Sequence, residues 1–257
     1  MNEPYLSVTV GAAPEDVWRA LRDPDEIKRW FGWDAGGIED EIDLIFHGRV
    51  AEGIELPEGI DTAVVVDDEA RTLRTGPHQI AVEAAGDGAV VRVTRVIDVG
   101  DAGWELFHTE IDNIEEGWRT FFQQLAFAAA RHPGDDRRTV FGTGVLSGSD
   151  PLARLGLAPV AGLGAGEPYA VTLATGEEIG GTVWFRSDRQ IGLTVDTWGD
   201  GLLVAAAVPG GTDEGTPAMT IASTYGLDAA TFAGLEARWS AWWSEHAVPP
   251  PDQPGDG

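Results

Sequence analysis

Residues 113–131 read NIEEGWRTFFQQLAFAAAR and decide the fold. Ile114, Trp118, Phe121, Phe122, Leu125, Phe127 and Ala129 recur at helical spacing and make the segment apolar around much of its surface. The turn His132-Pro133-Gly134 ends it. A helix this apolar needs a partner on more than one side, and the preceding residues supply one. From residue 38 to 99 the period changes to two: strands are expected at 41–50, 62–66, 71–75, 79–84 and 89–97, and one more at 104–109. Gly76-Pro77 and Gly86-Asp87-Gly88 serve as turns. Before them, Leu6, Val8 and Val10 alternate as a strand. Pro14, followed by Glu15 and Asp16, opens a short helix bearing Val17, Trp18 and Leu21. Asp23-Pro24 caps a second one bearing Ile27, Trp30 and Phe31. An antiparallel sheet gripping one long C-terminal helix is the economical packing of this order.

The order recurs. Asp135-Asp-Arg-Arg138 reads as a linker. After it come a strand at 139–146, a short helix at 150–155, and strands at 169–174, 178–186, 190–195, 202–208 and 218–224. A last helix is capped by Asp228 and carries Phe232, Leu235, Trp239, Trp242 and Trp243, whose rings suit core or interdomain packing. The expected fold is α+β: tandem helix-grip domains, each a curved antiparallel sheet wrapped on a long C-terminal helix, over 1–133 and, in degenerate form, 139–248. The Pro-rich tail 249–257 is expected to be disordered.

Composition bounds the function. The 257-residue chain carries 43 acidic and 17 basic residues, a formal net charge of −26, and both halves are acidic. Nucleic-acid and anionic-membrane partners need a basic face and are not expected. There is no Cys, which excludes disulfides, thiolate zinc sites and Cys nucleophiles. No secretory leader or run of about 20 apolar residues is visible, so a cytoplasmic protein without membrane insertion is expected. The five histidines form no HExxH or HxH spacing, Glu39-Asp40-Glu41 with Asp43 lacks the EF-hand glycine, and Gly162 to Gly166 opens no dinucleotide fold. Neither metal nor cofactor is expected.

The stretch Val8-Thr-Val-Gly-Ala-Ala-Pro14-Glu-Asp-Val17-Trp18-Arg-Ala-Leu21, then Asp23-Pro24, Trp30-Phe31-Gly32 and a late Gly117-Trp118, resembles the Hsp90-ATPase-activator-homologue family of START-like (SRPBCC) domains. The resemblance covers about 4–131. It implies a START/Bet v 1-like cavity between sheet and long helix, of the kind that holds lipids, hormones or polyketides in related domains and serves cyclases or hydrolases in a few. It also implies a chaperone ATPase as a possible partner. The separate N-terminal domain of the eukaryotic co-chaperones is not expected, because the motif begins almost at Met1.

The ligand-binding candidates are therefore Trp30, Phe31, Trp33, Trp104, Trp118 and Phe122 as apolar wall, with His47 and Arg49 as polar groups; Glu110 is a further polar candidate. Each ring has a plainer reading as core filling. The leading function is non-enzymatic binding of an apolar or amphipathic small molecule. The alternatives are a chaperone accessory acting on an Hsp90-type ATPase, and a cyclase- or hydrolase-like enzyme on an aromatic substrate.

Overall fold

The computed structural model describes residues 3–53, 62–96, 101–208 and 215–248, with the side chains of 101–113 left aside. The chain divides into two compact units, Met1–Asp135 and Asp136–Gly257.

Unit 1 runs β1 (Leu6–Val10), α1 (Pro14–Arg22), α2 (Pro24–Lys28), α3 (Ile38–His47), β2 (Val64–Asp67), β3 (Thr72–Thr75), β4 (His78–Ala85), β5 (Gly88–Arg95) and α4 (Asp101–Arg131). The sheet order is β1-β5-β4-β3-β2, antiparallel throughout. The chain leaves β1 at one edge, passes through three helices, and returns as a meander from the far edge until β5 meets β1. Period-two alternation puts Leu6, Val8 and Val10 inside while Ser7 and Thr9 stay exposed. The end of the β4–β5 hairpin packs close to β1: a Cβ on Gly88 would collide with the Val10 carbonyl.

Unit 2 runs β6 (Arg137–Leu146), α5 (Pro151–Arg154), β7 (Pro168–Thr172), β8 (Glu178–Arg186), β9 (Gln190–Val195), β10 (Gly201–Ala207), β11 (Thr216–Tyr225), α6 (Ala229–His246) and β12 (Ala247–Val248). Its sheet order is β12-β6-β11-β10-β9-β8-β7. The first strand again pairs with the last strand of the meander, β6 with β11 as β1 with β5. Unit 2 thus repeats the topology of unit 1 with one more meander strand, the short β12, and a reduced helical insert. Asp228 caps α6 as expected, its carboxylate accepting from Ala230 N and Thr231 N at 2.9 Å each. Trp239, Trp242 and Trp243 are all buried in the core of this unit. Each unit is an antiparallel sheet completed by a long C-terminal helix, the tandem helix-grip architecture.

Two expected strands are helical instead. Residues 38–47 form α3, because Ile42 and Phe46, both fully buried, stand one helical turn apart. Glu39, Asp40 and Glu41 favour the positive end of that helix, and Gly48, at φ 67°, caps its C-terminus in the left-handed region. The alternation of acidic and apolar residues at 41–45 imitates a strand. Residues 104–109 belong to α4, which is one helix of 31 residues rather than a strand followed by a helix. Trp104, Phe107, Ile111, Ile114, Trp118, Phe121 and Leu125 keep the same three-and-four spacing, so the helical period simply starts earlier.

Candidate functional site

The aromatic residues of unit 1 form a chain of ring contacts. Phe31 meets Phe46 at 5.1 Å, edge to face. Trp30 meets Phe46 at 5.7 Å and stacks on Phe122 at 6.1 Å. Phe122 stacks on Trp118 at 5.3 Å with the planes 16° apart. These geometries are the favoured ones for aromatic pairs. The helical segments following β1 supply Trp30, Phe31 and Phe46. The C-terminal half of α4 supplies Trp118, Phe121 and Phe122, because positions 118, 121, 122 and 125 share a face.

The chain ends on polar rings. Trp118 touches His78 edge-on at 5.9 Å, and His78 touches Tyr5 at 5.9 Å. The Tyr5 hydroxyl and His78 Nδ1 share a hydrogen bond of 3.0 Å. His78 opens β4 and stands opposite Arg95 of β5. Tyr5 precedes β1 and its N–H donates to the Val93 carbonyl at 3.0 Å. Sheet register therefore joins residues 73 positions apart. Arg95 is ion-paired with Glu115 of α4 beside them. His78 is 6% exposed and Trp118 7%.

Burial, and next the neighbouring Arg95 charge, push the His78 imidazole down to about 4. Burial, and next the Glu115 charge, hold the Tyr5 phenol above its ordinary value. Both rings are neutral at pH 7. An unfolded imidazole takes up its proton near pH 6.5, the folded one only near 4. Between these values the unfolded chain holds the extra proton. Stability is full above pH 6.5, falls as pH falls, and the loss is complete below 4. For an imidazole this buried the loss is about 3 kcal/mol. Urea midpoints at pH 7 and 4.5 measure it. His78→Phe should flatten the slope, and an unchanged slope would contradict the burial of the imidazole.

Of the sequence candidates, Trp30, Phe31, Trp118 and Phe122 come together, and Trp30, Phe31 and Phe122 are at most 1% exposed. Beneath the C-terminal half of α4 the rings fill the space with one another. Trp33 is half-buried between α2 and α3. His47 closes α3; its Nε2 is buried without a hydrogen-bond partner among the described residues, and burial lowers its pKa. Arg49 is at the surface, ion-paired with Asp43. Trp104 and Glu110 lie on α4 outside the described side chains. Sequence reasoning missed Tyr5, Phe46 and His78. Phe46 was hidden by the strand reading of its segment. For His78 the available signal was its place just after the Gly76-Pro77 turn; Tyr5 had none.

A separate cleft of about 230 Å³ opens between α1, α2 and the C-terminal end of α4. Its charges are paired on their own helices: Arg19 with Asp16 at 2.8 Å and Arg29 with Glu26 at 2.7 Å. Among the described residues no three potential metal ligands converge, and no helix is long and apolar enough to cross a membrane.

The fold and this site define a tandem helix-grip protein whose first unit carries an aromatic wall ending in a half-buried tyrosine bonded to a buried histidine. No family model matches the chain, and no curated protein matches it in sequence. Among solved structures, three are described that align along nearly the whole length. DynU16, a protein in the dynemicin biosynthetic locus, is 18% identical over 93% of this chain and 94% of its own, with a TM-score of 0.28. The di-domain ARO/CYC protein StfQ from the steffimycin biosynthetic pathway is 13% identical over 91% and 90%, TM-score 0.31. The di-domain ARO/CYC protein BexL from the BE-7585A biosynthetic pathway is 12% identical over 96% and 98%, TM-score 0.32. At such identities and scores these likenesses say nothing about ligand or activity, which rest on the residues of this chain.

Proposed function

We propose that unit 1 binds an apolar, aromatic small molecule without transforming it, against the half-buried Tyr5 side of the Tyr5–His78 pair, where the ring chain ends on Trp118. The observation that carries this reading is the hydrogen-bonded pair of half-buried Tyr5 and buried His78 set against Trp118. A core built only for stability has little use for it, because one neutral hydrogen bond contributes about 1 kcal/mol net while both polar rings must be desolvated. Apolar walls with a few placed polar groups are what a small-molecule site requires. The resemblance to the activator-homologue family, carried by Val8–Leu21, Asp23-Pro24, Trp30-Phe31-Gly32 and Gly117-Trp118, agrees with this reading. The chaperone role that the same motif implies gains no support from any described residue. A cyclase-like reading gains nothing from His78, because an imidazole pushed down to about 4 is a weak base at pH 7.

The test is titration of the intact chain with the uncharged aromatic dye Nile red, read by dye emission and Trp quenching. Saturable binding is expected, weakened about tenfold or more in a folded Trp118→Leu variant. Trp30→Phe, separated from Trp118 by the Phe122 ring, should leave it unchanged. Absence of saturation, or equal affinity in Trp118→Leu, would refute the site.

A further inference from the structure

The hydrogen-bond inventory of the Tyr5–His78 pair specifies its ligand further, given the aromatic-binding reading above. A neutral phenol has one O–H donor and a neutral imidazole one N–H donor. Their shared bond consumes one of the two. If Tyr5 donates, the proton on His78 Nε2 is left; if His78 Nδ1 donates, the Tyr5 O–H is left. Either tautomer leaves one donor unspent, and no other hydrogen bond of either side chain is made among the described residues. The two cations whose charges reach Tyr5 cannot serve an anionic ligand alone, since Arg95 is already ion-paired with Glu115 and Arg119 with Glu116. Both partners of the Arg95–Glu115 pair are mostly buried, with 24% and 21% of their side chains exposed. A carboxylate brought here would stand beside Glu115 and compete with Glu115 and Glu116 for arginines already paired, in a chain of net charge −26.

From this inventory we infer that the Tyr5–His78 pair determines specificity: it admits an uncharged aromatic ligand bearing a carbonyl oxygen in preference to the bare hydrocarbon and to the carboxylate. The hydrocarbon would strand the remaining donor away from water, and a site built to make a hydrogen bond rejects the analogue that cannot accept it. The displaced pKa values of both rings agree, since they keep the pair neutral and its donor count constant near pH 7.

Three probes of similar shape separate the possibilities: 9-fluorenone, fluorene and fluorene-9-carboxylate, titrated into the intact chain at pH 7. Fluorenone is expected to bind about fivefold more tightly than fluorene or better, with the carboxylate weakest. The infrared carbonyl stretch of bound fluorenone should move to lower frequency than in hydrocarbon solvent. Tyr5→Phe and His78→Phe each retain one donor and should keep the preference. The double variant Tyr5→Phe/His78→Phe should lose it while still binding fluorene. Should the double variant not fold, the wild-type ranking and the carbonyl frequency decide. Equal affinity for fluorenone and fluorene, an unshifted carbonyl, or tightest binding of the carboxylate would overturn the specificity and leave aromatic binding standing. Failure of all three probes together with Nile red would instead remove the binding reading itself.

Discussion

Gly142→Ala is expected to destabilise unit 2 by about 3 kcal/mol. Gly142 lies in β6 and pairs with Thr220 of β11. The indole of Trp243 lies over this pair, and its Nε1 donates to Thr220 Oγ1 at 3.2 Å. A Cβ at position 142 would fall within the indole itself, closer than any real contact allows. Trp243 is 6% exposed and packs edge to face with Trp242 at 5.3 Å, so its displacement disturbs α6 as a whole. The loss has two parts: overpacking of a filled core, and a buried indole N–H and threonine hydroxyl left unpaired. A double-variant cycle tells this mechanism from a general weakness of β6. On a Trp243→Ala background the ring is gone, and the further change Gly142→Ala should cost almost nothing. Urea denaturation followed by Trp fluorescence measures both, and a full cost on the Trp243→Ala background would contradict the steric account.

Trp30→Ala should cost unit 1 about 4 kcal/mol. Trp30 is among the largest fully buried side chains and is 1% exposed. It meets Phe31, Phe46 and Phe122, so truncation opens a cavity between the helical segment after β1 and α4. It also has a polar function that the ring count hides. Its Nε1 donates at 2.8 Å to the carbonyl of Ala20, which is among the last four of α1 and lacks an intrahelical donor. The indole thus closes the end of α1 as well as filling the core. Trp30→Phe keeps most of the ring and strands that carbonyl, for about 1–2 kcal/mol. The difference between the two variants in urea midpoint separates packing from capping. Equal costs would contradict the packing part.

Much of this was legible in the sequence where one period dominates. The helix through Trp118 and Phe122, the helices opening at Pro14 and, capped by Asp23, at Pro24, and the strands from Glu178 to Arg186 and Gln190 to Val195 follow from spacing and turn chemistry. The reading failed where two periods compete. Between 41 and 45 the acidic residues alternate with apolar ones, yet Ile42 and Phe46 bury a helical face. Tertiary packing of that face outweighs the local alternation. The polar end of the site was illegible for a different reason. Tyr5 and His78 meet only because β5 lies between β1 and β4, a register that no local pattern expresses. His47 and Arg49 were chosen as strand residues facing inward; once their segment is a helix and its cap, Arg49 turns to Asp43 at the surface.

Indole and imidazole N–H resonances of ¹⁵N-labelled protein, followed while 9-fluorenone is added, test the proposed site most directly. Saturable shifts confined to Trp118 and His78, with the Trp239, Trp242 and Trp243 indoles of unit 2 unmoved, are the predicted result. Shifts that leave Trp118 and His78 in place, or that arise in unit 2, would contradict a ligand seated at the Tyr–His end of the aromatic wall.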